Sequence, residues 1–168
     1  MTMKITKLEV LKLSQPYGTA EQWHFSGGKV DVWNTVLVRL TAEDGTTGLG
    51  EIGDGHFIPE PAEALAGFYA RMVNDLSVFD TNLLYDRMYK AGHFWGRRGL
   101  ALGVVSGIET ACWDIQGKLL DQPIYRLLGG AYRRRIRAYA SGGMEQSDAA
   151  LADELKQHVD GGFTAAWF

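Results

Sequence analysis

Residues 136–168 read as strand, helix, strand, and that order constrains the fold more than anything else in the chain. Residues 136–140 form a short apolar run. Ser147 stands where a helix N-cap would stand, and Leu151, Leu155 and Val159 recur on one helical face. Gly161-Gly162 breaks the helix, and residues 163–168 are mostly apolar again. Two strands joined through a helix run parallel, and parallel strands are normally covered on both faces. Two strands and one helix cannot cover themselves, and a (β/α)8 barrel needs about 250 residues. The run "GGFTAAWF" is therefore expected to be the second strand of a larger fold, and the chain a fragment or an early-terminated reading frame. A short tail strand docked on an N-terminal sheet is the alternative.

The residues before Gly130 follow a different grammar. Residues 4–13 read as a strand. Residues 14–28, "SQPYGTAEQWHFSGG", have no period and hold Pro16 and several glycines, so a long loop is expected. Residues 30–40 alternate, with Val30, Val32, Val36, Val38 and Leu40 on one face. Asp44-Gly45 supplies a turn between antiparallel strands, and residues 46–52 return. Helices are expected at residues 60–75, with Pro61 in the first turn, and from a cap at Asp80 or Thr81 to about residue 90. The longest helix spans residues 100–120, where Val104, Ile108, Cys112, Ile115 and Leu119 share a face. Asp114 and Lys118 can pair on its surface. Gly103 and Gly107 lower its helix propensity and suggest that another element packs closely there. A short helix after Asp121 and Pro123 ends at Gly129-Gly130. The fold class is α+β: a three-stranded antiparallel sheet, then helices, then the first βαβ unit. The domains are residues 1–130 and 131–168.

Charge and composition exclude several functions. The net charge of -3 argues for neither nucleic acid nor an acidic tail. No run of about 18 apolar residues is present to span a membrane, and the first residues lack the apolar core of a secretion signal. The single cysteine, Cys112, cannot form an internal disulfide, which suits the cytoplasm. Cys112 reads as a core residue, with a nucleophile as the competing reading. Glu51, Asp54 and His56 could ligate a metal, or end a strand, make a turn and sit in a loop. His93, Arg97 and Arg98 interleave with aromatics and could meet nucleic acid or a carboxylate, or be anchored to surface acids. Arg133, Arg134, Arg135 and Arg137 read as a solvated linker, and His158 as a favourably placed helix C-terminal residue. No phosphate loop, Cys-x-x-Cys pair or serine nucleophile elbow occurs.

The stretch "GIETACWDIQGKLLDQPIYRLLGG" (residues 107–130) resembles the signature helix of the mandelate racemase and muconate lactonizing enzyme family, within the enolase superfamily. "DGTTGLGE" resembles that family's hairpin return and "RRRIRAYAS" its first barrel strand. The resemblance implies a capping domain followed by a (β/α)7β barrel, and Mg²⁺ held by barrel carboxylates. It implies a base, often the second lysine of a Lys-x-Lys motif, that removes the proton α to a carboxylate. That motif falls at Trp167 and just beyond Phe168, so the chain is expected to carry no catalytic residue and no metal ligand, and to be inactive alone. The implied loops over the barrel mouth are residues 14–28 and 53–59, with Tyr17, Trp23, His24, Phe25, His56 and Phe57 facing substrate. Those residue types suit a polyhydroxy acid. The resemblance implies a sugar-acid dehydratase, with a racemase, epimerase or cycloisomerase of the same family as the alternative, and a homo-oligomeric parent. Of a different class is a non-catalytic module that associates with a partner chain.

Overall fold

The alternation along residues 32–42 produces the central strand of the protein. β4 (Val32–Ala42) buries Val36, Val38, Leu40 and Ala42, every second residue, because successive strand side chains point to opposite faces. The structure, a computed structural model, describes residues 2–19, 22–25, 27–143 and 147–167. Its contacts divide into two units: Met1–Gln15 with Asn34–Gly130, and Pro16–Trp33 with Ala131–Phe168.

In the first unit β1 (Ile5–Pro16), β4 and β5 (Thr47–Glu51) form an antiparallel sheet in the order β1-β4-β5. The turn between β4 and β5 forms where expected. Gly45 takes φ +88°, and the Asp44 carboxylate accepts from the Thr46 N–H and hydroxyl, each at 2.9 Å. The register sets Arg39 opposite Leu49 and Thr41 opposite Thr47.

Three helices cover this sheet: α1 (Pro59–Val73), α2 (Thr81–Ala91) and α3 (Leu100–Leu120). Val104, Ile108, Cys112 and Ile115 of α3 are fully buried, in a core shared with Val36, Val38, Leu40, Tyr69, Leu84 and Met88. Asp80 does stand at the α2 N-cap, but its side chain makes no cap bond. A four-residue α4 (Ile124–Leu127) follows, and Gly129 and Gly130 stop it at φ +103° and +95°.

β5 and α3 approach at backbone contact. A Cβ built on Gly48 would lie 2.2 Å from the Ala111 carbonyl oxygen, and one on Gly50 would lie 1.9 Å from that of Gly107. The suspected close packing is therefore real at Gly107, where a Cβ would meet the Glu51 carbonyl at 3.0 Å, whereas Gly103 makes only ordinary contacts. β5 is an edge strand, and α3 side chains satisfy its outer polar groups. Asp114 Oδ2 accepts from the Leu49 N–H at 2.9 Å, and Lys118 Nζ donates to the Thr47 carbonyl at 2.8 Å and to Asp114 at 2.7 Å. Unpaired strand edges invite foreign strands, so such cover matters.

The β1 edge is paired at its start. Ile5 N–H donates to Leu76 O, Asp75 N–H to Ile5 O and Val78 N–H to Met3 O, at 2.8, 3.0 and 2.8 Å. The buried Gln116 of α3 donates to Val78 O at 2.7 Å and ties that segment to the core.

The second unit departs further from expectation. Residues 14–28 are not one loop: β1 runs through Pro16, and β2 (Trp23–Phe25) pairs antiparallel with β3 (Gly28–Val30). Aromatic residues favour strands, and Gly28 at φ +127° permits the reversal. Ala20, Glu21 and Ser26 of that stretch lie outside the described residues. α5 (Asp148–Asp160) is capped as expected, the Ser147 hydroxyl accepting from the Ala150 N–H at 3.3 Å. Its expected apolar face is only partly covered, since Val159 is 67% exposed.

The two terminal strands are parallel, as the strand-helix-strand order requires, but each is two residues long. β6 (Ala140–Ser141) pairs with β7 (Ala166–Trp167). Ile136 and Trp167, expected in buried strands, are 83% and 68% exposed, and Phe168 lies outside the described residues. The Ala140 N–H donates to the Ala165 carbonyl and the Gly142 N–H to the Trp167 carbonyl, at 3.0 and 3.2 Å, while the Thr164 carbonyl accepts from Arg137 Nη2 at 3.0 Å. Arg137 also donates to the Thr164 hydroxyl at 3.1 Å, so this arginine is a tether rather than a solvated linker residue.

Three measurements check this packing. Gly50→Ala sets a methyl against helix backbone that no rotamer change can move, and should cost about 3 kcal/mol or more in urea unfolding. Burial pushes the Cys112 thiol up to about 12. A raised folded-state value gives stability that is complete below the unfolded thiol range of about 8.5 and is lost as pH rises through the folded value. Cys112 should therefore resist a disulfide reagent at about pH 8 until denaturant is added, and the melting temperature should fall as pH climbs above about 9.

Candidate functional site

The residues expected to face substrate lie on two loops. The first loop is built by the end of β5. Ile52 is fully buried and its N–H donates to Val36 O at 2.8 Å, which carries the sheet pairing one step past Glu51. The chain then makes a 3-10 turn, Gly53–His56. Gly55 is the contact point of this turn: a Cβ there would lie 2.9 Å from Val36 of β4 and 3.4 Å from Ala62 of α1. Pro59 ends the loop by opening α1.

A polar chain holds this turn to the sheet. Asn34 Nδ2 donates to the His56 carbonyl at 3.1 Å, and Asn34 Oδ1 accepts from the Ser14 hydroxyl at 2.6 Å. His56 Nδ1 lies 2.6 Å from the Gly53 carbonyl oxygen. The His56 and Phe57 rings meet at 3.8 Å between centroids, tilted by 45°, and Phe57 is 54% exposed. Nearby, Lys12 of β1 pairs with Glu63 of α1, and that hydrogen bond raises the Lys12 ammonium above its ordinary value.

The second loop is the β2–β3 ribbon. Its neck is closed by the Tyr17 N–H donating to Asp31 O at 2.8 Å. Trp23 stands opposite Val30, His24 opposite Lys29 and Phe25 opposite Gly28. Trp23 and His24 are consecutive in a strand and so project to opposite faces of the ribbon; Trp23 is half-buried and His24 exposed. Of the six candidate residues, Tyr17, Trp23, His24 and Phe25 belong to the second unit and His56 and Phe57 to the first.

Sequence reasoning passed over Ser14, Asn34 and Gly55. The signal for Asn34 was present: it falls between Val32 and Val36 on the inward phase of β4, where an amide needs a partner. Gly55 carried no signal, because its role depends on how the turn meets two other elements.

The other constellations resolve as follows. Among the described residues, no three or more His, Cys, Asp or Glu side chains gather to hold a metal ion. The Arg97 guanidinium donates to His93 Nδ1 at 2.7 Å, so this loop is braced by its own imidazole. His158 lies 3.4 Å from Glu154 and packs edge-on to Phe163. No described helix is long and apolar enough to cross a membrane.

Residues 8–129 match the model of the mandelate racemase / muconate lactonizing enzyme N-terminal domain, and the chain belongs to that family. It is 37% identical over 115 residues to the L-rhamnonate dehydratase of Saccharopolyspora erythraea, covering 68% of this chain and 28% of that protein. It is 49% identical over 83 residues to the arabinonate dehydratase of Saccharolobus solfataricus, covering 48% of this chain and 22% of that one. The chain thus spans about a quarter of the length of these curated relatives. A member of the enolase superfamily from Polaromonas sp. JS666 superposes with a TM-score of 0.84 at 31% identity, over 98% of this chain and 43% of that one. An enolase from Bradyrhizobium, complexed with magnesium and mandelic acid, superposes with a TM-score of 0.79 at 26% identity, over 99% and 45%.

Replacing Asn34 by Ala should leave the fold intact and loosen the 53–57 turn. The loss of one partly buried amide bond costs about 1 to 2 kcal/mol. Hydrogen exchange should therefore quicken about tenfold at the Gly55 and Phe57 amides, with the α3 amides unchanged.

Proposed function

We propose that residues 1–130 are the specificity cap, and residues 131–168 the start of the barrel, of a magnesium-dependent enzyme that dehydrates a sugar acid. The observation that carries this reading is the family match over residues 8–129 together with two relatives named for sugar-acid dehydration. The reaction removes the proton α to a carboxylate and expels the neighbouring hydroxyl as water, and the resulting enol becomes a 2-oxo acid. Magnesium would supply charge stabilisation for the developing enolate, and the described residues of this chain offer it no ligand set.

The chain's own contribution is recognition and exclusion of water. Tyr17, Trp23, His24, Phe25, His56 and Phe57 face the substrate in this reading. Aromatic rings pack on the C–H faces of a polyhydroxy acid, and imidazoles exchange hydrogen bonds with its hydroxyls. Lids of this kind close over substrate and raise the value of every polar contact beneath them. The reading also places the protein in the cytoplasm, where a lone buried thiol is stable, and as a homo-oligomer.

The test joins this chain to the barrel half of the arabinonate dehydratase and screens sugar acids in magnesium buffer. Formation of a 2-oxo acid from at least one sugar acid, abolished by a chelator, is expected; the 168-residue chain alone should form none. Exchange of the α proton for solvent deuterium without a 2-oxo acid would replace the dehydratase reading with the racemase one. Neither exchange nor product, from a chimera that melts cooperatively, would end both.

A further inference from the structure

The connection between α2 and α3, residues 92–99, is tied mostly to itself. The Gly92 carbonyl accepts from the Trp95 and Gly96 N–H groups at 3.0 and 2.6 Å, and the Arg97 guanidinium donates to His93 Nδ1 at 2.7 Å. The His93 N–H donates to Lys90 O at the end of α2. Among the described residues, no hydrogen bond joins residues 93–98 to α1 or α3. Phe94 is 95% exposed, and Arg97 and Arg98 are exposed too. What seats the loop is aromatic. The Trp95 ring stacks on Tyr69 at 6.2 Å between centroids and meets Phe68 edge-on at 5.6 Å, yet half of Trp95 is itself exposed.

The group under the loop opposes its closure. Tyr69 of α1 is fully buried, and its hydroxyl has no hydrogen-bond partner. The hydroxyl faces two buried glycines: a Cβ on Gly92 would stand 2.9 Å from its oxygen, and one on Gly96 3.2 Å away. A gap too tight for a methyl group is too tight for a bridging water. A buried hydroxyl that makes no bond has lost its hydration without replacement. Stacking therefore holds the loop down while the hydroxyl works against it. Glycines stand at both ends. Gly92 is the α2 C-cap, and Gly99, at φ +65° and ψ −148°, takes a conformation essentially reserved for glycine.

We propose that residues 93–98 are a flap that swings off Tyr69 on pivots at Gly92 and Gly99, with the Trp95 ring as its latch. Opening returns the Tyr69 hydroxyl to water and breaks no hydrogen bond to α1 or α3. It also uncovers Ala101 at the head of α3, because a Cβ on Gly96 would lie 3.0 Å from the Ala101 methyl. The open flap thus bares a recess lined by Phe68, Tyr69 and Ala101, and the closed flap seals it. Local openings of this kind fall well below the free energy of global unfolding. The device lies wholly within the first unit and does not depend on the function proposed above.

The test compares reagent access at two buried groups of the 168-residue chain. Nitration of Tyr69 by tetranitromethane, read by peptide mass spectrometry, is set against labelling of Cys112 by a disulfide reagent. Each rate is expressed as protection relative to the urea-unfolded chain. Cys112 sits in the core beneath α3 and marks the opening of that core. Tyr69 should be protected more than about tenfold less than Cys112, and its rate should be flat in low urea, because a local opening exposes little surface. Protection within about tenfold of that at Cys112, or a shared urea slope, would mean that Tyr69 opens only with the core, and overturns the flap. Trp95→Ala should cut the protection of Tyr69 about tenfold and leave Cys112 within about twofold. No change at Tyr69, or parallel losses at both groups, overturns the latch and the proposal with it. Tyr69→Phe keeps the ring and removes the hydroxyl. Its folded-to-unfolded ratio in urea should hold or rise, by up to about tenfold. A fall in that ratio shows a bonded hydroxyl and overturns the proposal.

Discussion

The first unit depends on the backbone contact between β5 and α3. Gly48 and Gly50 alternate along the strand, and Gly107 and Ala111 recur along the helix at one turn, so the two small-residue faces meet where a side chain would separate them. Asp114 and Lys118 then reach over the strand edge to its Leu49 amide and Thr47 carbonyl. The i,i+4 pair that looks like a surface salt bridge is mainly a device for closing a sheet edge. An exposed ion pair contributes little by itself; two otherwise unpaired backbone groups are a stronger reason for these residues.

That contact also decides where the loop after β5 can go. With the strand pinned to the helix and Ile52 buried, residues 53–58 must leave the sheet at one point and turn at once. Gly55 lets the turn lie flat on Val36 and Ala62, and Asn34 holds it there from the neighbouring strand. The loop is therefore a rigid presentation of His56 and Phe57 rather than a slack connection. Sites carried on braced segments keep their geometry better than sites on free loops.

Period carried the legible part of the fold. Alternation in residues 32–42 and the three-and-four spacing in residues 100–120 gave β4 and α3 with their buried faces, because burial on one side imposes those repeats. Ser147 gave the α5 cap because a hydroxyl before a helix has one clear use. What escaped was set by partners far away in sequence. The β2–β3 ribbon is three residues a side, too short to show a period, and its pairing rests on Gly28. β6 and β7 are two residues each, and the segment before β7 is tied instead by Arg137, through the Thr164 carbonyl and hydroxyl. At the candidate site the aromatic and imidazole residues were visible by type, whereas Asn34, Ser14 and Gly55 matter through contacts that only the folded turn creates.

The motif that identifies the family is, on this structure, almost wholly architectural. Gly107 admits the strand, Cys112 and Ile115 fill the core, Gln116 anchors the segment before α2, and Asp114 and Lys118 close an edge. None of these roles involves a bound small molecule, so the same helix can serve relatives with different chemistry. In the function proposed above, substrate choice rests on segments the motif does not reach, the β2–β3 ribbon and the 53–58 turn, which is how a constant scaffold can host a variable specificity. The second of these is fixed by groups outside the signature: Asn34 Nδ2 holds the His56 carbonyl at 3.1 Å, and the Gly53 carbonyl oxygen lies 2.6 Å from His56 Nδ1.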